Sequence, residues 1–233
     1  MILSVHQPQY IPWLGFFDKI VKSDTFVYLD TVQYKKREWQ NRNQIRTKDG
    51  SMWLTVPVVS KGNGGSRQPI NQVRIDNEST WASDHLKSIQ CWYGKAPFFE
   101  KYISFFEETY SKCCEKLIDL NITILDFLFN ELNVSTKVML ESDIGTSLQS
   151  TDRIIEICQK VNADTYLTGI GGGNYLDESK FDRENIKLVY QDYLHPTYQQ
   201  QFLNESQAFL PNMSIVDLLF NEGEKSSTIL KGD

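Results

Sequence analysis

An apolar run, Ile2-Leu3-Ser4-Val5, passes directly into His6-Gln7-Pro8-Gln9-Tyr10-Ile11-Pro12, and from Trp13 onward the apolar residues recur at helical spacing. Trp13, Phe16, Phe17, Ile20 and Val21 make that helical face, which ends at Ser23-Asp24, while Pro8 and Pro12 exclude helix from the loop before it. A buried strand therefore opens straight into a polar loop and a helix. In open α/β sheets such a junction lies at the carboxyl edge, where loops leaving several strands converge beside helix N-termini. His6, at the strand's end, is a candidate catalytic residue, and Gln7, Gln9 and Tyr10 are candidate substrate contacts.

The same grammar recurs along the chain. Thr25-Phe26-Val27-Tyr28-Leu29 reads as a second strand and delivers Asp30 to its end, a second catalytic candidate. Residues 136–142 read as a strand, Ser150-Thr151-Asp152 caps a helix running to Asn162, and residues 164–169 are a strand again. Strand, capped helix and strand at this spacing form a crossover, which implies parallel pairing. Residues 186–190 add a last strand and residues 214–220 a closing helix. Residues 52–59 form a strand that Pro57 pushes toward a sheet edge, and the glycine-rich residues 61–67 are a surface loop or a candidate lid. From 80 to 130 the pattern is helical throughout, and the aromatic stripe Phe98, Phe99, Tyr102, Phe105 and Phe106 reads as helix core. The expectation is an α/β protein with a mostly parallel, Rossmannoid sheet flanked by helices. Residues 1–79 and 131–233 would form the core domain and residues 80–130 a helical insertion.

With 233 residues the chain can bury a substantial core. Its net charge of −6 argues against a general polynucleotide binder. Only the polar tail from 222 to 233 reads as disordered. With no basic leader and no apolar run of membrane-span length, the chain is expected to be cytoplasmic and independent of membranes. His6, His85 and His195 are far apart, and the four cysteines form no CxxC pair, so no metal site is expected.

Three segments carry candidate chemistry. Residues 34–46 interleave Lys35, Lys36, Arg37, Arg42 and Arg46 with Tyr34 and Trp39. Arginine offers a planar fork to phosphate and an aromatic face stacks on a base or sugar, so Tyr34, Lys36, Arg37, Trp39, Asn41, Arg42 and Asn43 are candidate ligand contacts. The stretch reads as too polar and irregular for core. After the strand at 164–169 comes Gly169-Ile170-Gly171-Gly172-Gly173-Asn174-Tyr175, where backbone amides can approach an anion. It is neither a Walker loop nor a dinucleotide fingerprint, since no Gly-Lys-Ser/Thr closes it and Asn174 replaces the third glycine. Gly171, Gly172, Gly173, Asn174 and Tyr175 are therefore candidates for backbone anion binding, with a tight turn as the alternative. After the last strand, Asp192 and His195 supply another acid and another histidine.

These motifs together resemble the WbqC-like family, proteins encoded among bacterial O-antigen and other surface-polysaccharide genes. The resemblance rests on His6-Gln7-Pro8-Gln9-Tyr10-x-Pro12-Trp13-Leu14-Gly15, on Asp30-x-Val32-Gln33-Tyr34 with Trp39-Gln40-Asn41-Arg42-Asn43, on Tyr166-Leu167-Thr168-Gly169 with Gly172-Gly173-Asn174-Tyr175-Leu176, and on Ser214-Ile215-Val216-Asp217-Leu218-Leu219-Phe220-Asn221. It implies a transferase acting on a nucleotide-linked amino sugar, with glycyl or another acyl group passing to the sugar amine from an activated acyl or aminoacyl donor. In that scheme His6 or His195 accepts a proton, Asp30 or Asp192 orients the histidine, and no cofactor is required beyond a nucleotide or the activated donor. A homo-oligomer is compatible with the sequence. The opening also resembles the HIGH-type nucleotidyltransferases, but aligning Gly15 with their glycine puts Trp13 and Phe16 where their histidines stand. A nucleotidyltransferase and a non-catalytic nucleotide-sugar or partner-binding protein are the alternatives.

Overall fold

A computed structural model describes residues 1–59, 68–203 and 208–232. The glycine-rich segment 61–67 lies outside the described residues, as does the side chain of Asn174. The chain forms two compact units. The described residues of Met1–Pro8, Gly15–Val32 and Val134–Leu194 make the first, and those of Gln9–Leu14, Gln33–Asn133 and His195–Asp233 the second.

The first unit is built on a parallel five-stranded sheet. Its strands are β1 (Ile2–His6), β2 (Thr25–Tyr28), β5 (Lys137–Leu140), β6 (Thr165–Thr168) and β7 (Lys187–Tyr190), in the order β5-β2-β1-β6-β7. Numbered by their own succession, that is 3-2-1-4-5, with the direction of travel reversing between β1 and β6. Such a reversal is the topological switch point at which open α/β sheets part and admit ligands. Helix α1 (Leu14–Val21) follows β1, α5 (Glu141–Ile144) follows β5, and α6 (Ser150–Val161) connects onward to β6. Helix α6 ends with Asn162 in the left-handed region at φ 60°, a conformation asparagine tolerates better than most side chains. Leu3, Val5, Val27 and Tyr166 pack against Ile154, Ile157, Cys158 and Phe181 of α6 and α7 (Glu178–Arg183) to form the core. The central strands are covered on both faces, which is why they read as unbroken apolar runs.

The second unit joins an antiparallel hairpin to helices. The hairpin is β3 (Arg42–Thr47) and β4 (Gly50–Thr55), and the helices are α2 (Trp81–Tyr93), α3 (Phe99–Ser111), α4 (Leu117–Glu131), α8 (Ile215–Glu222) and α9 (Lys225–Lys231). The aromatic stripe of α3 is core as expected: Phe220 stacks on Tyr93 at 5.2 Å between centroids and meets Phe99, Tyr102 and Phe106. Strand β4 stops at Thr55, short of Pro57.

Two expectations are corrected here. Residues 42–47 are not too polar for the interior, because Asn43, Ile45 and Arg46 are buried. Asn43 Nδ2 donates to the Ile11 carbonyl at 2.8 Å, and Arg46 donates to Gln200, to the Gln201 carbonyl and to the Ala208 carbonyl. The buried side chains of Asn43 and Arg46 are thus hydrogen-bonded, so the polar strand is tolerated. The tail from 222 is not disordered through 232 either. Helix α9 buries Ser226, Ser227 and Leu230, and Ser227 Oγ donates to the Leu132 carbonyl at 2.6 Å.

Candidate functional site

In the first unit, His6 closes β1 and Gly169 follows β6, so both stand at the carboxyl ends of adjacent parallel strands. The half-buried His6 ring donates from Nδ1 to the Gln7 carbonyl at 3.0 Å and meets Phe16 edge-on at 5.5 Å. That hydrogen bond leaves the Nε2 lone pair unengaged among the described residues. Burial, with help from the neighbouring Lys19 charge, lowers the ring's pKa to about 3, so at neutral pH it is unprotonated.

Lys19 is the residue that sequence reasoning missed. It is only 4% exposed, and its Nζ donates to the Val5 carbonyl at 3.0 Å. The Met1 carbonyl is bonded from β6 and the His6 carbonyl from Leu29, so by the alternation of the strand the Val5 carbonyl faces β6. The register with β6 covers Ile2 and Leu3, and Lys19 takes the carbonyl beyond it. No carboxylate pairs with this ammonium among the described residues, and burial lowers its pKa to about 7. The available signal was position: Lys19 falls three residues after Phe16, on the flank of the apolar face of α1.

Asp30 and Glu141 of this unit make hydrogen bonds and an ion pair within it. Asp30 Oδ1 accepts the Ser142 N–H at 2.9 Å in the first turn of α5. Among the described residues it makes no hydrogen bond to His6, whose ring is oriented instead by the Gln7 carbonyl. Glu141, fully buried, accepts from Thr31 Oγ1 and pairs with Arg153. Asp192 is exposed, and its carbonyl accepts from Lys22. Gln191 Nε2 bridges the Gly15 carbonyl and Asp18 Oδ2.

The glycine run folds as a short 3-10 turn, Ile170–Asn174. The amides of Gly172, Tyr175 and Leu176 donate to carbonyls within the turn. Gly172 is required by packing, since a Cβ there would sit 2.4 Å from Thr168 Oγ1. At Gly171 a Cβ would meet nothing within 4 Å, and Ile170 and Tyr175 are exposed beside it.

In the second unit the segment 34–42 and the end of β4 enclose a pocket of about 210 Å³. Tyr34, Lys36, Arg37, Asn41 and Arg42 line it, with Thr55 and Val58 opposite. Among the described residues its lining holds three cationic side chains and no carboxylate. Arg37 is in the left-handed region at φ 63°, unusual for a bulky residue, and its carbonyl accepts from the Arg42 guanidinium. That guanidinium lies 4.2 Å from the Trp53 ring centroid, and Trp53 and Trp39, 40% and 39% exposed, are 5.3 Å apart. Tyr34 is buried, which pushes its hydroxyl up to about 12. Trp53 lies outside the basic stretch, and only the hairpin register brings it beside Arg42.

Tyr10 and His195, also predicted, make hydrogen bonds within this unit. Tyr10 is fully buried, its hydroxyl bonded to His85 Nδ1 at 2.8 Å and to Tyr110. Gln9 is buried, and its Oε1 has no partner among the described residues. His195 donates from Nδ1 to the Pro196 carbonyl at 2.7 Å and accepts the Asn212 N–H on Nε2 at 3.1 Å, so its basic lone pair is occupied. Asp217, wholly buried, accepts from Tyr93, Tyr198 and Gln200.

A parallel five-stranded sheet flanked by helices makes the chain an α/β protein, and its second unit carries a cationic pocket. The WbqC-like protein family matches residues 7–229, and the chain belongs to that family. It is 33% identical over 231 residues to the uncharacterized protein Rv1507c of Mycobacterium tuberculosis, covering 98% of this chain and 97% of that one. No solved structure matches it. No helix among the described residues is long and apolar enough to cross a membrane.

Proposed function

We propose that the chain is a transferase of bacterial surface-polysaccharide (O-antigen) biosynthesis that binds a nucleotide-linked amino sugar and passes an acyl or aminoacyl group, glycyl foremost, to its amine. The observation that carries this reading is the pocket in which Lys36, Arg37 and Arg42 converge with no opposing carboxylate among the described residues. Cations clustered in this way recognise phosphate, and Trp39 with Trp53 offers an aromatic face for a base or sugar. In the reaction the unprotonated sugar amine attacks the acyl carbonyl, a C–N bond forms, and the bond from carbonyl carbon to leaving group breaks. The proton lost by nitrogen goes to a histidine base, and the activated donor is a thioester or comparable ester. His6 is favoured over His195 because its lone pair is vacant.

The test is incubation of the chain with nucleotide-linked amino sugars and activated acyl donors, read by mass spectrometry of the sugar product. A mass gain of one acyl group, lost when Arg42 is replaced by Gln, is expected. Binding without turnover would favour a non-catalytic nucleotide-sugar protein. The 3-2-1-4-5 strand order supports a second reading as a nucleotidyltransferase. Pyrophosphate release from a nucleoside triphosphate with Mg²⁺ would establish that reading and overturn the first.

A further inference from the structure

Among the described residues, the lining of the cationic pocket includes an unpaired acceptor and an unpaired donor. Asn41 is 6% exposed, and its Nδ2 donates to the Val56 carbonyl at 2.7 Å. That bond fixes the amide's orientation, so the remaining atom, Oδ1, is an acceptor, and it is buried with no partner. Arg42 Nε, a charged donor in the same lining, is also buried without a partner. Buried polar groups are nearly always satisfied, and leaving one unmade costs about 1–3 kcal/mol. Two such groups of opposite hydrogen-bonding sense in one pocket describe the ligand that completes it.

The fully ionised phosphate group of a phosphomonoester satisfies Arg42 Nε and offers nothing to Asn41 Oδ1, so the donor that oxygen needs comes from the group esterified to the phosphate. We infer that the pocket takes a phosphorylated sugar ring, with Arg42 Nε donating to a phosphate oxygen and Asn41 Oδ1 accepting from a ring hydroxyl or amine N–H. The inference rests on the phosphate reading of the pocket given above and adds its specificity. The volume agrees, because about 210 Å³ is below the range of roughly 300–1,000 Å³ typical of drug-sized ligands and suits one ring with its phosphate. Neither atom reaches solvent, so the side chains around them must shift for a ligand to reach both.

The experiment is calorimetric titration of the full chain with glucosamine 1-phosphate and with cyclohexyl phosphate, a ring phosphate with no ring hydroxyl or amine. The sugar phosphate is expected to bind tighter by roughly tenfold or more, as sites built to bond a hydroxyl discriminate against its absence. Asn41→Leu should bring the sugar phosphate down to the cyclohexyl level and leave cyclohexyl phosphate unchanged. Arg42→Lys should weaken both together. Equal wild-type affinity for the two probes overturns the role of Asn41 while sparing the phosphate reading, and it can be measured even if Asn41→Leu fails to fold. Absence of binding by either probe overturns both.

Discussion

Lys19 donates to the backbone carbonyl of Val5, one residue before His6, and no acid balances its charge among the described residues. The central strand of the first unit is thus held by a side chain that burial drives toward its neutral form. Lys19 titrates near 7 in the folded chain and at its ordinary 10.5 once unfolded. Below about pH 7 both states carry the proton, and the folded state bears the full cost of a buried charge. Between 7 and 10.5 the unfolded state binds more protons, so stability from this group rises with pH. Lys19→Met leaves the Val5 carbonyl unpaired at all pH values but removes the charge cost. The stability of the variant relative to wild type should be most favourable near pH 6 and fall by several kcal/mol, to order of magnitude, toward pH 10. Denaturant titrations across that range check it, and a difference independent of pH would remove the buried charge from the account.

His6 behaves in the opposite window. Its folded pKa of about 3 lies below the ordinary 6.5, so the unfolded chain takes a proton first and stability contributed by this residue declines as pH falls from 6.5 toward 3. Imidazole resonances of His6 should show no titration above pH 5. If His6 Nε2 is the proton acceptor, the acidic limb of kcat/KM that belongs to it should lie far below 6.5, and His6→Ala should lower turnover by roughly 10²- to 10⁴-fold. His195→Ala should instead lose about 1 kcal/mol of stability with the Asn212 bond and keep its turnover.

The glycines at 171 and 172 separate packing from ligand contact. Gly172→Ala forces a Cβ against Thr168 and should destabilise the chain by about 1–3 kcal/mol. Gly171→Ala meets open space and should stay within about 0.5 kcal/mol. A loss of ligand affinity in Gly171→Ala at unchanged melting temperature would assign that backbone to binding, and unchanged affinity would make the turn purely structural.

Salt dependence distinguishes the ligands of the basic pocket. A polynucleotide held by many phosphate contacts loses about 10³- to 10⁵-fold in affinity between 50 and 200 mM salt, and a nucleotide-linked sugar loses far less. With a net charge of −6, the chain should show the shallow response. A steep slope with single-stranded DNA or RNA would make the pocket part of a nucleic-acid surface.

Asp217→Ala strands Tyr93, Tyr198 and Gln200 and removes the negative charge that faces Arg46. A loss of about 3–5 kcal/mol is expected, the range for breaking a buried charged network. Thermal melts of this variant should show the largest drop among those proposed.

What the sequence disclosed was periodicity. The apolar runs at Leu3-Val5, Phe26-Tyr28 and Tyr166-Leu167 are buried on both faces, so strand identity and parallel pairing follow from composition and connection length. The interior placement of Asn43 and Arg46 did not follow, because their partners are Ile11, Gln200, Gln201 and Ala208, supplied by distant chain. The basic pocket was half visible: its cations lie close together in sequence, whereas Thr55 and Val58 arrive by hairpin register and loop geometry. The unsatisfied oxygen of Asn41 is a property of three-dimensional packing, and no pattern of letters encodes it.

The alternation of the chain between units bears on how the protein is made. Central strand β1 receives β2 early, but its other neighbour, β6, begins at Thr165, and Ser214 and Asp217 of the second unit come later still. A nascent chain therefore keeps one edge of its central strand open until most of the polypeptide has been synthesised. No contiguous fragment contains one unit whole without also carrying part of the other. The protein should accordingly depend on chaperones that shield open strand edges during translation, and truncation from either end should yield aggregation instead of a smaller folded domain.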